Sequence, residues 1–532
     1  MPQIGYAQRQ APMGREGMVA SCHPLASLAG VEVMRSGGNV VDAAIATNAV
    51  LGVTQPNYCG VGGDLFCLYY EALTRKVHFL NGAGRSGSRA TLDELSRRGL
   101  DRVPTYGPAS VSVPGVTRAW RMLLDEFGTR PIRNLLEPAV HYARDGFPIS
   151  DIVCQAIRER APGNDDPEWR RIFIPRGEFP TVGQCFRQVE LARALTDLGD
   201  DPELFYRGWV ARAIADRLAA DGFLTADDLA AHIGEWGNPI STTYRGYTVY
   251  ETPPPTQGLA ALLSLNLLEG FDVASLPVHS VEHLHLLLEV TKIAYADRDR
   301  WVADPEHTRL PIAQLLDKGY ANERRRLFDP RKAQPYQWGD PEGDTTGFVV
   351  ADGRGNVLSV IQSLYKSFGS GVVAPGTGVV LQNRGAYFST DPKHPNHLAP
   401  RKRPFHTLMA CVVTRDDLPV LGYSTMGGDG QAMFHTQGLT NVLDYGMEIQ
   451  EAIERPRFVY GAIDPGDVLV DTARIEGRVP AEVREGLTRK GHQVQPVSDW
   501  FARTGHAHGI TLHGGTLRGG ADPRGDGAAI GF

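Results

Sequence analysis

The sequence predicts an α+β protein, with a helix-rich first part and a β-rich last third that meet at residue 345. Three observations carry this. Apolar residues recur at helical spacing in several stretches before residue 302. Residues 329–344, DPRKAQPYQWGDPEGD, are rich in Pro, Gly and Asp and have no apolar period. Short β-branched and aromatic runs, separated by turn residues, then follow one another.

In chain order, residues 38–54, GNVVDAAIATNAVLGVT, place Val, Ala, Ile and Leu at helical spacing and predict a buried helix. The glycine turn in QPNYCGVGGDLFCLYY leads into an apolar strand. Residues 187–235 read as helices joined by short polar turns, and residues 280–302 as one long amphipathic helix. The linker 329–344 is expected to be exposed, where a chain is most easily cut. Beyond it, strands are predicted at 347–350, 357–362, 379–382, 409–414 and 420–424, and helices at 434–446 and 448–454. The predicted segments are therefore 1–344 and 345–532. At 532 residues the chain exceeds the size at which one core keeps growing, so two or more lobes are expected.

Lys plus Arg total 54 against 61 Asp plus Glu, a net charge of −7, which argues against a nucleic-acid surface. No run of 18 apolar residues is present, so no membrane span is expected. The start, MPQIGYAQRQAPMGREGMVAS, lacks the apolar core of a secretory signal, and six scattered cysteines without a CxxC pair read as reduced, mostly buried thiols. Both point to the cytoplasm.

The chemistry centres on GDTTGFVVADGRGNVLSV, residues 343–360, where two threonines precede a predicted hairpin. Threonine favours strands for its shape alone. It also becomes a nucleophile when it is an N-terminal residue, because a free α-amine titrates near pH 8 and takes the hydroxyl proton. Self-cleavage would create that terminus. The Thr345 hydroxyl attacks the Asp344 carbonyl, and water opens the resulting ester. Acyl transfer also needs N–H donors for the oxyanion, and GYSTMGGDGQ puts Gly427 and Gly428 between a strand and a helix, where a plain tight turn would look the same. Ser363 in VIQSLYKSFGSG is the candidate for a hydroxyl that orients the nucleophile.

The stretch GMVASCHPLASLAGVEVMRSGGNVVDAAIATNAVLGVTQPNYCGVGGDLFCLYY resembles the amino-terminal half of the γ-glutamyltransferase family. TTGFVVADGRGNVLSVIQSLYKSFGSG resembles the start of its small subunit, and KRPFHTLM, STMGGDGQ, EAIERPRF and ADPRGDGAAIGF continue the match in order. The resemblance implies an N-terminal nucleophile hydrolase fold, an αββα sandwich. It also implies a proenzyme cleaved between Asp344 and Thr345 into large and small chains that stay associated, with higher homo-oligomers possible. Thr345 then stands as nucleophile, Ser363 where the family has a helper threonine, and Gly427 and Gly428 where it has the oxyanion pair. No metal or organic cofactor is implied.

A γ-glutamyl site must hold both an α-carboxylate and an α-ammonium. Where glutathione-using members carry NNQMDDF, this chain reads QNRGAYF, so Ala386 and Tyr387 replace both acids and Arg384 adds a cation. Tyr365 stands for an expected asparagine, and His406 and Thr407 stand for a serine pair. Ala83 takes the place of an arginine that reappears as Arg85, and the lid segment TDPKHPNHLAPR is shorter than in the family. Ammonium-binding groups are lost while cations remain. The expected substrate is a small-molecule amide of an anionic acyl group without an α-amine, as in the branch with oxamate amidohydrolases and glutaryl (cephalosporin) acylases. Arg85 is expected to clamp its carboxylate, with Arg384, Tyr365, Tyr387, His406 and Thr407 lining the pocket.

Four other readings stand beside this one. They are a true γ-glutamyltransferase or glutathione hydrolase, an uncleaved non-catalytic family member, a metal hydrolase built on His506, His508 and His513 of GHAHGITLH, and a phosphate-binding protein using CGVGGD. The shortened lid favours water over an acceptor amine.

Overall fold

In the computed structural model, residues 7–335, 344–461 and 471–532 are described, Asp344 and Thr345 by their backbone alone. The strands form two antiparallel seven-stranded sheets. The first runs, edge to edge, Ala528–Gly531, Gly17–Ser21, Asp344–Asp352, Val357–Tyr365, Asp64–Glu71, Lys76–Gly82 and Glu235–Gly237. The second runs Met13–Gly14, Thr516–Ala521, Ala507–His513, Leu418–Thr425, Ala410–Arg415, Tyr247–Glu251 and Ile240–Tyr244.

Strand alternation explains the layers. Met18, Ala20, Phe66, Leu68, Val349, Ala351 and Ile361 of the first sheet point inward against Ala410, Val412, Ile510 and Leu517 of the second. Their neighbours Val19, Cys67, Phe348, Val350 and Val360 point outward onto the helices Pro24–Arg35 and Val40–Thr54. On the far side, Cys411, Val413, Leu421 and Tyr423 pack under the helices Gly258–Leu268, Val281–Trp301 and Gln431–Leu443. This is the expected αββα sandwich. The Val40–Thr54 helix is buried all round except at Gly52, and a capping box between Asn39 and Asp42 opens it. The long helix spans Val281–Trp301, close to its predicted limits.

The expectation of separate lobes is corrected here. Strands from before and after residue 345 lie side by side within both sheets, so the two segments share their cores. Of the expected linker, residues 336–343 lie outside the described residues. Its first part is surface chain tied down from beneath: Gln334 N–H donates to Glu289 Oε2 at 3.1 Å, and His285 Nε2 contacts the Asp329 carbonyl at 2.8 Å. The 379–382 strand is shorter than predicted, only Val379–Val380. Five of the six cysteines are buried and Cys185 is exposed. No helix among the described residues is long and apolar enough to cross a membrane.

Candidate active site

The Asp344–Asp352 strand pairs with Val357–Tyr365, Asp344 facing Tyr365 and Thr346 facing Gln362. The register slips by one between those pairs, so the Thr345 backbone sits at a bulge opposite residues 363–364. Bulges of this kind re-aim a side chain, and they are frequent beside active sites. The Thr345 and Asp344 side chains lie outside the described residues.

Ser363 is fully buried and accepts the Tyr365 N–H at 2.6 Å. On its other side it pairs with Asp64, the first residue of the next strand. Tyr365 ends its strand at φ +83°, a conformation that costs a non-glycine residue of order 1–3 kcal/mol. That twist turns its ring into the pocket, 4.5 Å from the Tyr387 ring and 4.5 Å from the Arg384 guanidinium carbon.

The oxyanion candidates follow the Leu418–Thr425 strand. Gly427 has φ +129° and Gly428 φ +54°, both left-handed, and a Cβ on Gly427 would lie 2.5 Å from the Phe434 ring. Only glycine fits that first position. Among the described residues, neither N–H is taken up by a hydrogen bond. Gln257, which the sequence reading missed, fixes this turn to the pocket wall. Its Nε2 donates to Gly428 O at 2.9 Å and to Thr407 O at 2.8 Å, while its Oε1 accepts from Arg298 Nη1 at 2.9 Å. The signal was the PPPTQG run, a turn whose polar residue has no role on the surface. Arg298 also pairs with Asp429 Oδ1 at 3.1 Å, and the Tyr387 hydroxyl donates to Asp429 Oδ2. Burial, reinforced by that carboxylate, pushes the Tyr387 hydroxyl well above its usual range, so it remains a donor.

Arg384 is the cation at the centre. It is fully buried, its Nη1 donates to Thr407 Oγ1 at 3.0 Å, and its Nε and Nη2 have no partner among the described residues. His406 is equally buried with neither ring nitrogen hydrogen-bonded among the described residues, and burial together with Arg384 holds it well below its usual range, hence neutral. Its Nε2 lies 3.8 Å from Asp64 Oδ2. Asp64 was the second residue missed, hidden at the end of the glycine turn. The structure thus gathers Ser363, Tyr365, Arg384, Tyr387, His406, Thr407 and the Gly427–Gly428 turn.

Arg85 departs from its expected role. Its guanidinium is held by Glu306 at 2.7 and 2.8 Å and by Glu235 at 3.1 Å, in a network shared with Asp304 and Arg403. Carboxylates of the chain itself already occupy this would-be clamp. The phosphate-loop reading also falls. Cβ atoms on Gly62 and Gly63 would lie 2.0 Å from Val380 O and 2.2 Å from Ser363 O, so the turn meets carbonyl oxygens, which repel phosphate. His506, His508 and His513 do not converge on one point: the first two are buried and His513 lies at the exposed far end of the strand. Two other buried triads, Glu251–Cys411–His435 and His285–Glu289–His492, bring ligand-type atoms together among the described residues. Within them His435 pairs with Glu251, His285 with His492, and Glu289 with Lys292.

Comparison with known proteins places this geometry. The family model described as Gamma-glutamyltranspeptidase matches residues 26–532. The chain is 40% identical to a glutathione hydrolase-like proenzyme (YwrD) of Bacillus subtilis, covering 98% of this chain and 99% of that one. It is 35% identical to an oxamate amidohydrolase proenzyme of Klebsiella pneumoniae, over 97% of this chain and 98% of the relative. The crystal structure of a cephalosporin acylase from Bacillus halodurans superposes with a TM-score of 0.93 at 36% identity, covering 100% of this chain and 99% of that one.

Proposed function

Because the chain belongs to the gamma-glutamyltranspeptidase family and is an enzyme of the N-terminal nucleophile amidohydrolase type, we propose that it cuts itself between Asp344 and Thr345 and hydrolyses amides of small anionic acyl groups. The amine freed on Thr345 takes the proton of its own hydroxyl, and the oxygen attacks the substrate carbonyl. N–H groups of Gly427 and Gly428 receive the oxyanion, and Ser363 orients the nucleophile. The amine or ammonia departs, and water releases the acyl group.

The observation that carries the anionic acyl group is Arg384. A guanidinium is always charged, and here it is sealed beneath two tyrosine rings with two nitrogens uncommitted among the described residues. A carboxylate matches that fork in charge and geometry. Asp429, the nearest counter-charge on the oxyanion turn, is already held by Arg298 and Tyr387. The interleaved sheets support the expectation that both cleavage products stay together.

The test is denaturing electrophoresis and intact mass beside a Thr345→Ala control, followed by a panel of oxamate, glutaryl and γ-glutamyl substrates. Two fragments that meet at 344/345 in the wild type alone, with glutaryl or oxamate turnover above γ-glutamyl turnover, are the expected result. An intact chain in both samples refutes the proposal.

A further inference from the structure

Asp64 is the pocket's remaining carboxyl, and no step above uses it. It is fully buried. The carboxyl lies beside the Gln382 side chain; its Oδ1 accepts the Gly84 N–H at 2.8 Å, while Oδ2 faces His406 and has no partner at hydrogen-bond distance among the described residues. Buried polar atoms are paired in the great majority of cases, so orphaned atoms on Asp64, His406 and Arg384 in one sealed cluster mark a place where a ligand completes the bonding. Three elements bring charged or titratable groups to Asp64 besides the 82–85 turn. The 382–388 segment brings Arg384 and, behind it, Tyr387; the 402–407 segment brings His406; and below lie Tyr206 and the helix start at Gly115, whose Cβ position is 3.3 Å from Oδ1.

Without substrate, an ionised Asp64 and the Arg384 guanidinium balance one another across the pocket. An acyl carboxylate seated on Arg384 breaks that balance, because two carboxylates then share one buried cation. Like charges in a dry site disfavour double ionisation, and the cheapest relief is a proton on the carboxyl that has a free oxygen. Burial has already raised Asp64 to about 7, against the lowering effects of the Gly84 N–H, Arg384 and the Gln382 side chain, so the proton is available near neutrality.

Resting on the amidohydrolase reading, we propose that Asp64 is a specificity-determining residue, which takes up a solvent proton on Oδ2 when an acyl carboxylate binds Arg384. The pocket then selects an acyl group with one negative charge and no ammonium, and affinity for it falls as pH rises. The sign follows from linkage: binding that takes up a proton weakens by up to tenfold per pH unit above the free-state titration point.

The experiment uses processed enzyme, with glutarate as competitive inhibitor of glutaryl-anilide hydrolysis between pH 6 and 9, in wild type and Asp64→Asn. The asparagine keeps the oxygen that accepts from Gly84. Wild-type inhibition constants are expected to be flat below pH 7 and to rise up to tenfold per unit above it, while the variant stays flat. Calorimetry at pH 8 in buffers of differing ionisation enthalpy then reads close to one proton taken up by wild type, and close to none by Asp64→Asn. This second measurement needs no variant to show the uptake itself. Wild-type binding with no pH dependence, or a variant with the wild-type profile, overturns the inference. So does a γ-glutamyl substrate whose binding improves with pH in wild type alone, because Asp64 would then serve an ammonium. Processed enzyme that turns over no acyl anilide refutes the amidohydrolase reading instead, whatever glutarate does.

Discussion

Arg384→Met separates the charge of the central guanidinium from its bulk. Methionine fills most of the same volume under Tyr365 and Tyr387, so the packing survives. The charge does not. A guanidinium and a carboxylate about 4 Å apart attract by about 4 kcal/mol at the effective dielectric of about 20 that suits protein sites. Two charge-assisted hydrogen bonds lost with desolvation partly recovered set a floor of about 2 kcal/mol. At about 1.4 kcal/mol per tenfold, kcat/KM for a glutaryl anilide is expected to drop by roughly 30- to 1,000-fold. For an uncharged pentanoyl anilide of the same length, the change should stay within about threefold, since no carboxylate is there to lose. Removing Arg384 takes the counter-charge from the buried Asp64, so the melting temperature is expected to hold below pH 7, where Asp64 is protonated, and to fall above it. Steady-state kinetics on both anilides, with thermal unfolding as the control, decide it. Equal loss on both substrates, at an unchanged melting temperature, would falsify the assignment of Arg384 to the acyl carboxylate.

Three further outcomes follow from the same geometry. Gly427→Ala forces a Cβ onto the Phe434 ring in a left-handed backbone, and is expected to lower stability by about 1–3 kcal/mol and abolish turnover, read by thermal unfolding and acyl-enzyme burst. Gln257→Leu releases both Gly428 O and Thr407 O and leaves Arg298 without one partner; kcat is expected to fall about 10- to 100-fold with KM little changed, and a pure KM effect would count against its positioning role. Asp522, buried between Arg457 and Arg524, is held well below the usual carboxylate range by those cations despite its burial. Its contribution is present above the unfolded titration point near 4 and is lost as pH falls through the lower folded one, so acid unfolding should begin at higher pH in Asp522→Asn, a variant expected to lose about 3–5 kcal/mol.

Much of this architecture was legible because it is written locally. The Val281–Trp301 helix and the Val40–Thr54 helix follow from apolar spacing, and the strands after residue 345 from β-branched runs between turns. The glycine pair was legible for the same reason, since a GG between strand and helix declares a backbone that other residues avoid. What failed was non-local. Arg85 looked free because Glu235 and Glu306 stand far away in the chain, and only folding brings their carboxylates to its guanidinium. Asp64 and Gln257 sit in glycine- and proline-rich turns, where a polar residue reads as solvated. The sheet order could not be seen either, because Gly17–Ser21, from the start of the chain, lies between its last strand and Asp344–Asp352.

That order has a consequence for the life history of the molecule. In the first sheet, Gly17–Ser21 lies between Ala528–Gly531 and Asp344–Asp352, and on the far side of Val357–Tyr365 the early strands resume. The proposed cut before Thr345 would therefore sever a thread in a woven cloth without opening the cloth. An uncut chain would refold from a denatured state in a first-order process. A cut protein would have to reassemble two chains by collision, so its refolding would slow with dilution while its folded state kept the same contacts. Such a cut would make the fold persist by kinetics, and would oblige the chain to weave first and cut afterwards.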